Sequence, residues 1–358
     1  YPYYVALGPV LHSWTADEAD PPPEFAETLR TFDFAEESGR ELAEKYRDCE
    51  VPFKVKHAAE ILETSDLWTD AYLNRTLAGN TDVAQEVQVS ATNRFMYWRH
   101  SVQGPPGWRP PTHFWPRPTF GGWLPWAKRA DAEKLPAATE HLYFGADEPE
   151  RKGENGEIGM APALLMPRDF VARDMPYFSV VEPNFWVPNP AGRSGIQCRF
   201  SMRGVVAASH FDNGRNFVAM LRGAKRYLLN PPGTCPYLGI VMDIEHPSYR
   251  HTDAFWSWRW PEGFDRAAAI DTVVGEGEAL YIPSFWFHHV QSTKYSIQCN
   301  VRSGFPPRNE GLMAIKQCLR LSHHEASTRS RNETAASGSG EAAGSGSGSG
   351  GNRRRRRR

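Results

Sequence analysis

Residues 205–212 read VVAASHFD, an apolar run that ends in a His-x-Asp pair, His210 and Asp212. The apolar residues before the pair predict a β-strand. On a strand, residues i and i+2 point to the same face, with Cα atoms roughly 6.5 Å apart. We therefore predict that His210 and Asp212 bind one metal ion together.

A second histidine of the metal-binding type lies 76 residues beyond Asp212, in the segment IPSFWFHH at residues 282–289. Two histidines and one carboxylate on one side of a metal, with the other positions open, form the facial triad of non-haem Fe(II) oxygenases. His288 and His289 are adjacent and face opposite sides of a strand, so only one of them can complete such a site. The pattern favours an enzyme that activates O2.

Two other pairs in the chain have similar spacing. His251 and Asp253 lie in a loop-like stretch, whereas His323 and Glu325 border a low-complexity tail. Neither pair follows an apolar strand-like run, and we do not expect either to bind the metal.

The composition is that of a globular protein, with 40% hydrophobic and 23% charged residues. No apolar run approaches the roughly 20 residues that span a bilayer, and no signal peptide is visible, so we expect no membrane association. Residues 329–358 carry a net charge of +6, which leaves −7 for residues 1–328. This acidic body offers nucleic acid no overall electrostatic attraction.

The cysteines are odd in number and scattered, without a Cys-x-x-Cys motif; they are Cys49, Cys198, Cys235, Cys299 and Cys318. This usage favours reduced thiols over a disulfide framework or a zinc site. We therefore expect an intracellular protein, cytoplasmic or nuclear.

The chain divides into three regions. Residues 1–50 form a helical lead-in, residues 51–322 form the main domain with a β core at about 180–305, and residues 323–358 form a Ser/Gly-rich tail. The tail ends in Arg353–Arg358 and cannot bury enough apolar surface to fold, so we expect it to be disordered.

Helical spacing of apolar residues predicts a helix over 24–48 and a second over 66–79, with Asp66 or Thr69 as the N-cap. Residues 104–126 hold seven prolines and are predicted to be an irregular loop. From residue 196 onward, short strands alternate with Gly/Pro turns, which indicates a mainly β fold of the jelly-roll type. The predicted strands are Gln197–Met202, Val205–Phe211, Asn216–Leu221, Lys225–Leu229, Glu278–Ile282 and Ser296–Val301.

Residues 277–290 read GEALYIPSFWFHHV. This segment resembles the Gly-Asp/Glu-x-Leu-aromatic-aliphatic-Pro-x-x-Trp-aromatic-His strand of the Jumonji-C, cupin-like, Fe(II)- and 2-oxoglutarate-dependent oxygenases. The resemblance is close over residues 196–304 and looser over 51–195. It implies a double-stranded β-helix with flanking N-terminal helices. It also selects His288, the first histidine after the Trp-aromatic pair, as the third iron ligand.

The same resemblance implies a site for 2-oxoglutarate. In the family, a lysine 13 residues after the iron-binding aspartate pairs with the distal carboxylate of the co-substrate, because a buried dicarboxylate requires a cation. Here that residue is Lys225. Its register with Asp212 favours it over the neighbouring Arg226.

Other co-substrate contacts follow from the same comparison. Asn216 and Asn300 match asparagines near the co-substrate, and Tyr143 matches a tyrosine that hydrogen-bonds the same carboxylate as the lysine. Ala207 departs from the pattern, because relatives often have a threonine three residues before the first iron ligand. A substitute hydroxyl could come from Ser209, Thr293 or Ser296.

The resemblance implies an enzyme whose catalytic centre is Fe(II) held by His210, Asp212 and His288, with 2-oxoglutarate and O2 as co-substrates. The first prediction for its reaction is hydroxylation of side chains in a protein or peptide. The alternatives are hydroxylation of a modified tRNA base or a small molecule, demethylation of histone lysine, and, least favoured, a non-catalytic cupin-like binding protein.

Overall fold

A computed structural model describes residues 2–78, 84–115, 119–148, 170–252, 261–306 and 309–318. The strands are β1 (Val5–Ala6), β2 (Thr31–Asp33), β3 (Phe53–Lys56), β4 (Ala84–Ser90), β5 (Arg94–Phe95), β6 (His113–Phe114), β7 (His141–Asp147), β8 (Gln197–Ser201), β9 (Val206–Phe211), β10 (Asn216–Arg222), β11 (Ala224–Asn230), β12 (Ala268–Gly275), β13 (Ala279–Ile282), β14 (Phe287–Ser292) and β15 (Ser296–Arg302). The α-helices are α1 (Leu7–Ser13), α2 (Glu37–Asp48), α3 (Ala59–Leu67), α4 (Asp70–Leu77), α5 (Phe120–Glu133), α6 (Phe170–Asp174) and α7 (310–318).

The strands form two sheets. The smaller sheet has the order β1-β12-β11-β14-β9-β5, and the larger has the order β2-β3-β13-β10-β15-β8-β7-β4-β6. The β2–β3 and β5–β9 pairs are parallel, whereas the other described pairs are antiparallel. The prediction of a mainly β, jelly-roll fold with flanking helices is confirmed.

Apolar side chains fill the space between the two sheets. Val218 and Leu280 of the larger sheet share a buried cluster with Tyr227, Ile270 and Val290 of the smaller one. The opposite face of the larger sheet packs against helices α2 to α6, and that of the smaller sheet against α1 and α7. Alternation along each strand thus sends one set of side chains outward to the helices and the other into the barrel.

The turn between β10 and β11 sets the position of the predicted co-substrate lysine. Gly223 lies between the two strands with a φ of 70°, in the left-handed region that favours glycine. A Cβ atom at this position would lie 2.1 Å from the carbonyl oxygen of Tyr295. The turn therefore requires glycine, and β11 begins directly after it, which places Lys225 inside the barrel.

The two predicted helices are each shorter than expected. Residues 24–36 are not helical; instead Thr31–Asp33 forms β2, which pairs with β3. Asp66 lies within α3 and does not cap a helix, whereas Thr69 caps α4 by accepting a hydrogen bond from the backbone N–H of Tyr72. The pairing of β2 with β3 is a tertiary contact that local helical spacing cannot predict.

The prediction that residues 104–126 form only an irregular loop is wrong in two places, because β6 pairs with β4 and a helix occupies their C-terminal end. Helix α5 begins at Phe120, is capped by Thr119, and contains Pro125. Phe120 and Trp123 are fully buried against the larger sheet. Burial of these two rings offsets the cost of a proline inside a helix. The number of prolines alone therefore does not decide whether a helix forms here.

The prediction that the cysteines are reduced is also wrong, because four of them form two disulfides. Cys198 on β8 is bonded to its cross-strand neighbour Cys299 on β15. Cys235 is bonded to Cys318 in α7, and Cys49 is free. Disulfides persist mainly in oxidising compartments. The intracellular location stays a prediction, and the two bonds weigh against it.

Replacing Cys235 and Cys318 together with serine is expected to lower the free energy of unfolding by about 2–4 kcal/mol. The bond joins residues 83 positions apart, so its loss enlarges the conformational entropy of the unfolded chain. Urea denaturation measures the change. Cys49→Ser, at the exposed free cysteine, is the matched control and should leave stability unchanged. The prediction would be contradicted if the unaltered protein, the double serine variant and Cys49→Ser had equal free energies of unfolding.

The N-terminal lead-in contributes strands to both sheets, since β1 pairs with β12 and β2 pairs with β3. The predicted disordered tail, 323–358, lies outside the described residues. None of the helices in the described ranges has the length and apolarity needed to cross a bilayer.

Candidate metal centre

The three predicted iron ligands converge at one end of the smaller sheet. His210 is on β9, Asp212 directly follows that strand, and His288 is on the adjacent strand β14, where it is the register partner of His210. One ligand atom from each residue lies within 4.8 Å of the other two. Strand pairing therefore brings together residues that are 76 positions apart in sequence.

Backbone carbonyl groups orient both imidazoles. Nδ1 of His210 lies 2.8 Å from the carbonyl oxygen of Ala208, and Nδ1 of His288 lies 3.2 Å from that of Trp286. Because a carbonyl oxygen can only accept, Nδ1 carries the proton in each ring. Nε2 is then the unprotonated nitrogen that a metal ion requires.

The charges of the site also favour metal binding. Burial lowers the pKa of His288 to about 3, with a further contribution from His210, and burial lowers the pKa of His210. Burial alone would raise the pKa of Asp212, but the guanidinium of Arg302 and the two imidazoles hold it below its usual value. All three groups are thus in their ligand forms near neutral pH, as a metal ion requires.

The metal-free protein is expected to lose stability as the pH falls below about 6.5. Burial lowers the pKa of His251, His288 and His289 to about 3 each. Between about pH 6.5 and pH 3, these three histidines bind protons in the unfolded chain but not in the folded chain. The free energy of unfolding therefore decreases as the pH falls. The expected slope is about 1.4 kcal/mol per pH unit for each imidazole. Urea denaturation at several pH values measures it, and a flat profile would contradict these pKa values.

The alternative histidines are placed differently. His289 faces the outer side of the sheet, where it lines a small pocket with Leu7 and Leu228. The ring of His251 stacks on that of His210, with centroids 4.8 Å apart and planes 13° from parallel, but it does not join the three converging ligand atoms. Its proposed partner Asp253, and the pair formed by His323 and Glu325, lie outside the described residues.

The three residues open into a cavity of about 720 Å³ between the sheets. Lys225 is only 1% exposed, and its Nζ lies 5.4 Å from the ring centroid of Tyr143, which lines the cavity. Within the described ranges, no carboxylate forms an ion pair with this ammonium. Burial and the nearby charge of Arg199 hold the pKa of Lys225 well below its usual value. A nearby anion would favour the protonated form of this buried lysine, which lacks a counter-ion, so the site fits a dicarboxylate such as 2-oxoglutarate.

Arg226, the alternative to Lys225, points to the outer face of the sheet. Its guanidinium is paired with Asp271 at 2.7 Å and lies 4.0 Å from the ring centroid of Trp14. This buried pair fixes the N-terminal segment against the smaller sheet. Arg226 is therefore engaged away from the cavity.

The two predicted asparagines lie beside the metal ligands. Asn216 donates from Nδ2 to Oδ2 of Asp212 at 3.1 Å, and Asn300 donates to Oδ1 of Asn216 at 3.2 Å. They support the carboxylate ligand, and both also line the cavity.

Three hydroxyls were considered as substitutes for the threonine missing at Ala207. Ser209 lines the outer pocket beside His289, and the hydroxyl of Thr293 donates to the carbonyl oxygen of Ala224. Ser296 is fully buried, and its hydroxyl lacks a hydrogen-bond partner among the described residues. The hydroxyl of Ser209 also lacks a partner there, but Ser296 shares the inner face of β15 with the cavity residues Gln298 and Asn300.

Four arginines of the cavity were not identified from the sequence. Arg302 contacts Asp212, and Arg199 pairs with Asp147, with Nη2 and Oδ2 3.0 Å apart. Arg250 lies 4.9 Å from the ring centroid of Tyr249, and Arg99 donates to the carbonyl oxygen of His246 at 2.8 Å. Alternation on the predicted strands places Arg199 and Arg302 on the inner face, with Gln197 and Asn300. The alternation was therefore visible in the sequence. Which residues these arginines contact across the barrel depends on the tertiary fold.

The fold and the site together define a double-stranded β-helix protein with a His-x-Asp…His constellation that could hold a metal ion. Comparison with protein families agrees with this class, because residues 128–302 match the model of the cupin-like domain. The match covers just under half of the chain, and over these residues the chain is similar to a cupin-like domain.

Curated proteins with similar sequences have different activities in their names. The chain is 29% identical over 109 residues to tRNA wybutosine-synthesizing protein 5 of Gallus gallus, which is 29% of this chain and 31% of the relative. It is 31% identical over 117 residues to lysine-specific demethylase JMJ32 of Arabidopsis thaliana, 25% of this chain and 34% of the relative. It is 25% identical over 138 residues to the bifunctional peptidase and (3S)-lysyl hydroxylase JMJD7 of Homo sapiens, 33% of this chain and 40% of the relative. The matches thus span between 31% and 40% of the length of these relatives.

Proposed function

We propose that the protein is an Fe(II)- and 2-oxoglutarate-dependent oxygenase that hydroxylates a C–H bond. The observation that carries the proposal is the juxtaposition, inside one barrel, of three converging ligand atoms and a buried ammonium without a carboxylate partner in the described chain. A triad alone would fit many metals, and a buried lysine alone would fit many anions. The two together match the needs of an iron-bound dicarboxylate.

When bound, Fe(II) supplies oxidative decarboxylation of 2-oxoglutarate by O2, coupled to insertion of oxygen into the substrate. The Nε2 atoms of His210 and His288 and a carboxylate oxygen of Asp212 would hold the metal. Lys225 would pair with the distal carboxylate of 2-oxoglutarate, and Tyr143 would donate a hydrogen bond to it. These contacts would fix the co-substrate in one orientation before the substrate enters.

The cavity wall would exclude water from the reacting groups. Its apolar lining includes Phe95, Val218, Ile282 and Val290, all buried. Excluding water strengthens the electrostatic contacts within the site and limits side reactions. The opening of the cavity carries exposed Tyr97, so a substrate group can reach the metal from that side.

We propose a protein or peptide side chain as the substrate. The relative JMJD7 is named for lysyl hydroxylation, and the acidic body of this chain disfavours a polyanion. A modified tRNA base is the second candidate. It is supported by the similarity to tRNA wybutosine-synthesizing protein 5 and by Arg250, a cavity arginine without an ion-pair partner in the described ranges. Demethylation of histone lysine, as in the name of JMJ32, is a third outcome of the same assay.

The test is incubation of the purified protein with Fe(II), 2-oxoglutarate and either a proteome digest or total tRNA. Mass spectrometry would then search for the mass of one added oxygen atom, and for loss of a methyl group. We expect oxygen addition in the peptide pool together with succinate formation. No succinate under any condition would overturn the proposal. Modification of tRNA alone would replace the first substrate by the second.

A further inference from the structure

Arg302 lines the cavity, and both terminal nitrogens of its guanidinium group form hydrogen bonds. It is the last residue of β15, and its Nη1 donates to Oδ1 of Asp212 at 2.5 Å. Its Nη2 donates to Oε1 of Gln197 on β8 at 2.8 Å. A planar guanidinium anchored in this way can hold a carboxylate in one orientation.

The two carboxylate oxygens of Asp212 therefore have different surroundings. Oδ1 is occupied by Arg302. Oδ2 lies 3.8 Å from Nε2 of His288 and accepts one hydrogen bond from Asn216 at 3.1 Å. Each oxygen accepts one hydrogen bond and keeps one lone pair. The two differ because Oδ1 is held by a charged guanidinium, which competes with a cation, whereas Oδ2 is held by a neutral amide and faces Nε2 of His288.

We propose that Arg302 is a positioning residue that reserves Oδ1 of Asp212, so that this carboxylate offers only Oδ2 to the metal. The inference rests on the proposed function, because it concerns the same metal site. A carboxylate can bind a metal ion through one oxygen or through both. Binding through both would use one of the open positions that a facial triad leaves to its co-substrates.

A second contact makes the arrangement specific. Arg302 is two residues from Asn300 on β15, and Asn300 donates to Asn216, which in turn donates to Oδ2 of Asp212. The carboxylate is thus held on one oxygen by Arg302 of β15 and on the other by the amide of Asn216 of β10, which Asn300 of β15 orients. Rotation of the carboxylate toward a two-oxygen geometry would break both contacts.

The experiment uses Mn(II) as the probe, with the full chain. Water proton relaxation gives the number of exchangeable water ligands on bound Mn(II). We expect about three in the unaltered protein and about two in Arg302→Leu, because the freed Oδ1 would displace one water. In the leucine variant the dissociation constant for 2-oxoglutarate should rise about tenfold, whereas that for Mn(II) should not rise.

Three further variants make the result specific. Arg302→Lys can still reach one carboxylate oxygen and should restore the water count. The glutamine side chain in Arg302→Gln is shorter than arginine and does not reach Asp212. It allows the water count on Mn(II) to be compared with that of the unaltered protein if the leucine variant does not fold. Arg250→Leu removes a cavity arginine without contact to Asp212 and should leave the Mn(II) site unchanged.

Two outcomes overturn the inference. One is an equal water count in the unaltered protein and in the folded leucine or glutamine variant. The other is an equal loss of water in Arg250→Leu, which would show that any change in cavity charge suffices. Failure of the proposed function itself is distinguishable, because the unaltered protein would then bind no Mn(II) or no 2-oxoglutarate.

Discussion

Asp212→Ala is expected to abolish 2-oxoglutarate turnover, with succinate formation reduced by about 1,000-fold or more. Asp212 is the only anionic group among the three converging ligands, and its loss leaves two neutral imidazoles. It also leaves the guanidinium of Arg302 without its carboxylate, so that a positive charge faces the metal position. Both effects act against a divalent cation, and metal affinity should fall at least about 100-fold.

The measurement is succinate by mass spectrometry, with metal content determined on the same sample. Asp212→Asn keeps the size of the side chain and should lose turnover as well, which separates loss of charge from loss of packing. Asp17→Ala is the matched control. It removes a half-exposed carboxylate that pairs with Arg94, and should leave turnover unchanged. Succinate formation by Asp212→Ala at the unaltered rate would refute the metal site.

Lys225→Met is expected to raise the apparent KM for 2-oxoglutarate by about 10- to 100-fold, while metal content stays constant. A charge-assisted hydrogen bond to a buried carboxylate contributes about 1.5–3 kcal/mol, which corresponds to this range. Methionine preserves the volume of the fully buried side chain, so the barrel should remain folded. The effect should appear in KM more than in kcat at saturating co-substrate, since the lysine contacts a group remote from the reacting atoms.

Steady-state kinetics with varied 2-oxoglutarate provide this measurement. Lys56→Met, at a half-exposed lysine at the end of β3 that pairs with Asp33, is the control. An unaltered KM in Lys225→Met would show that 2-oxoglutarate binds elsewhere in the cavity. Arg226 would not be the substitute, because it is paired with Asp271 on the outer face.

The convergence of the three candidate ligands could be anticipated from the sequence better than the flanking elements, for a physical reason. Alternation on a strand is local, so the common face of His210 and Asp212 follows from their spacing alone. The choice between His288 and His289, by contrast, came from the family resemblance. In the structure His288 is the cross-strand partner of His210, and this pairing could not be deduced from spacing.

The features that the sequence did not predict all depend on distant partners. Strand β2 forms because β3 is available beside it, and local spacing there indicates a helix. The disulfide between Cys198 and Cys299 requires β8 to lie next to β15. Arg302 was not identified for the same reason, since its role requires β15 to approach the end of β9 across the barrel.

The strands from the first 33 residues have a practical consequence for protein production. β1 and β2 each cover the border of a sheet, by pairing with β12 and β3. A recombinant version that starts near residue 51 would leave the backbone N–H and C=O groups of both borders without partners. Such bare borders recruit strands from other molecules, so this shortened version would aggregate.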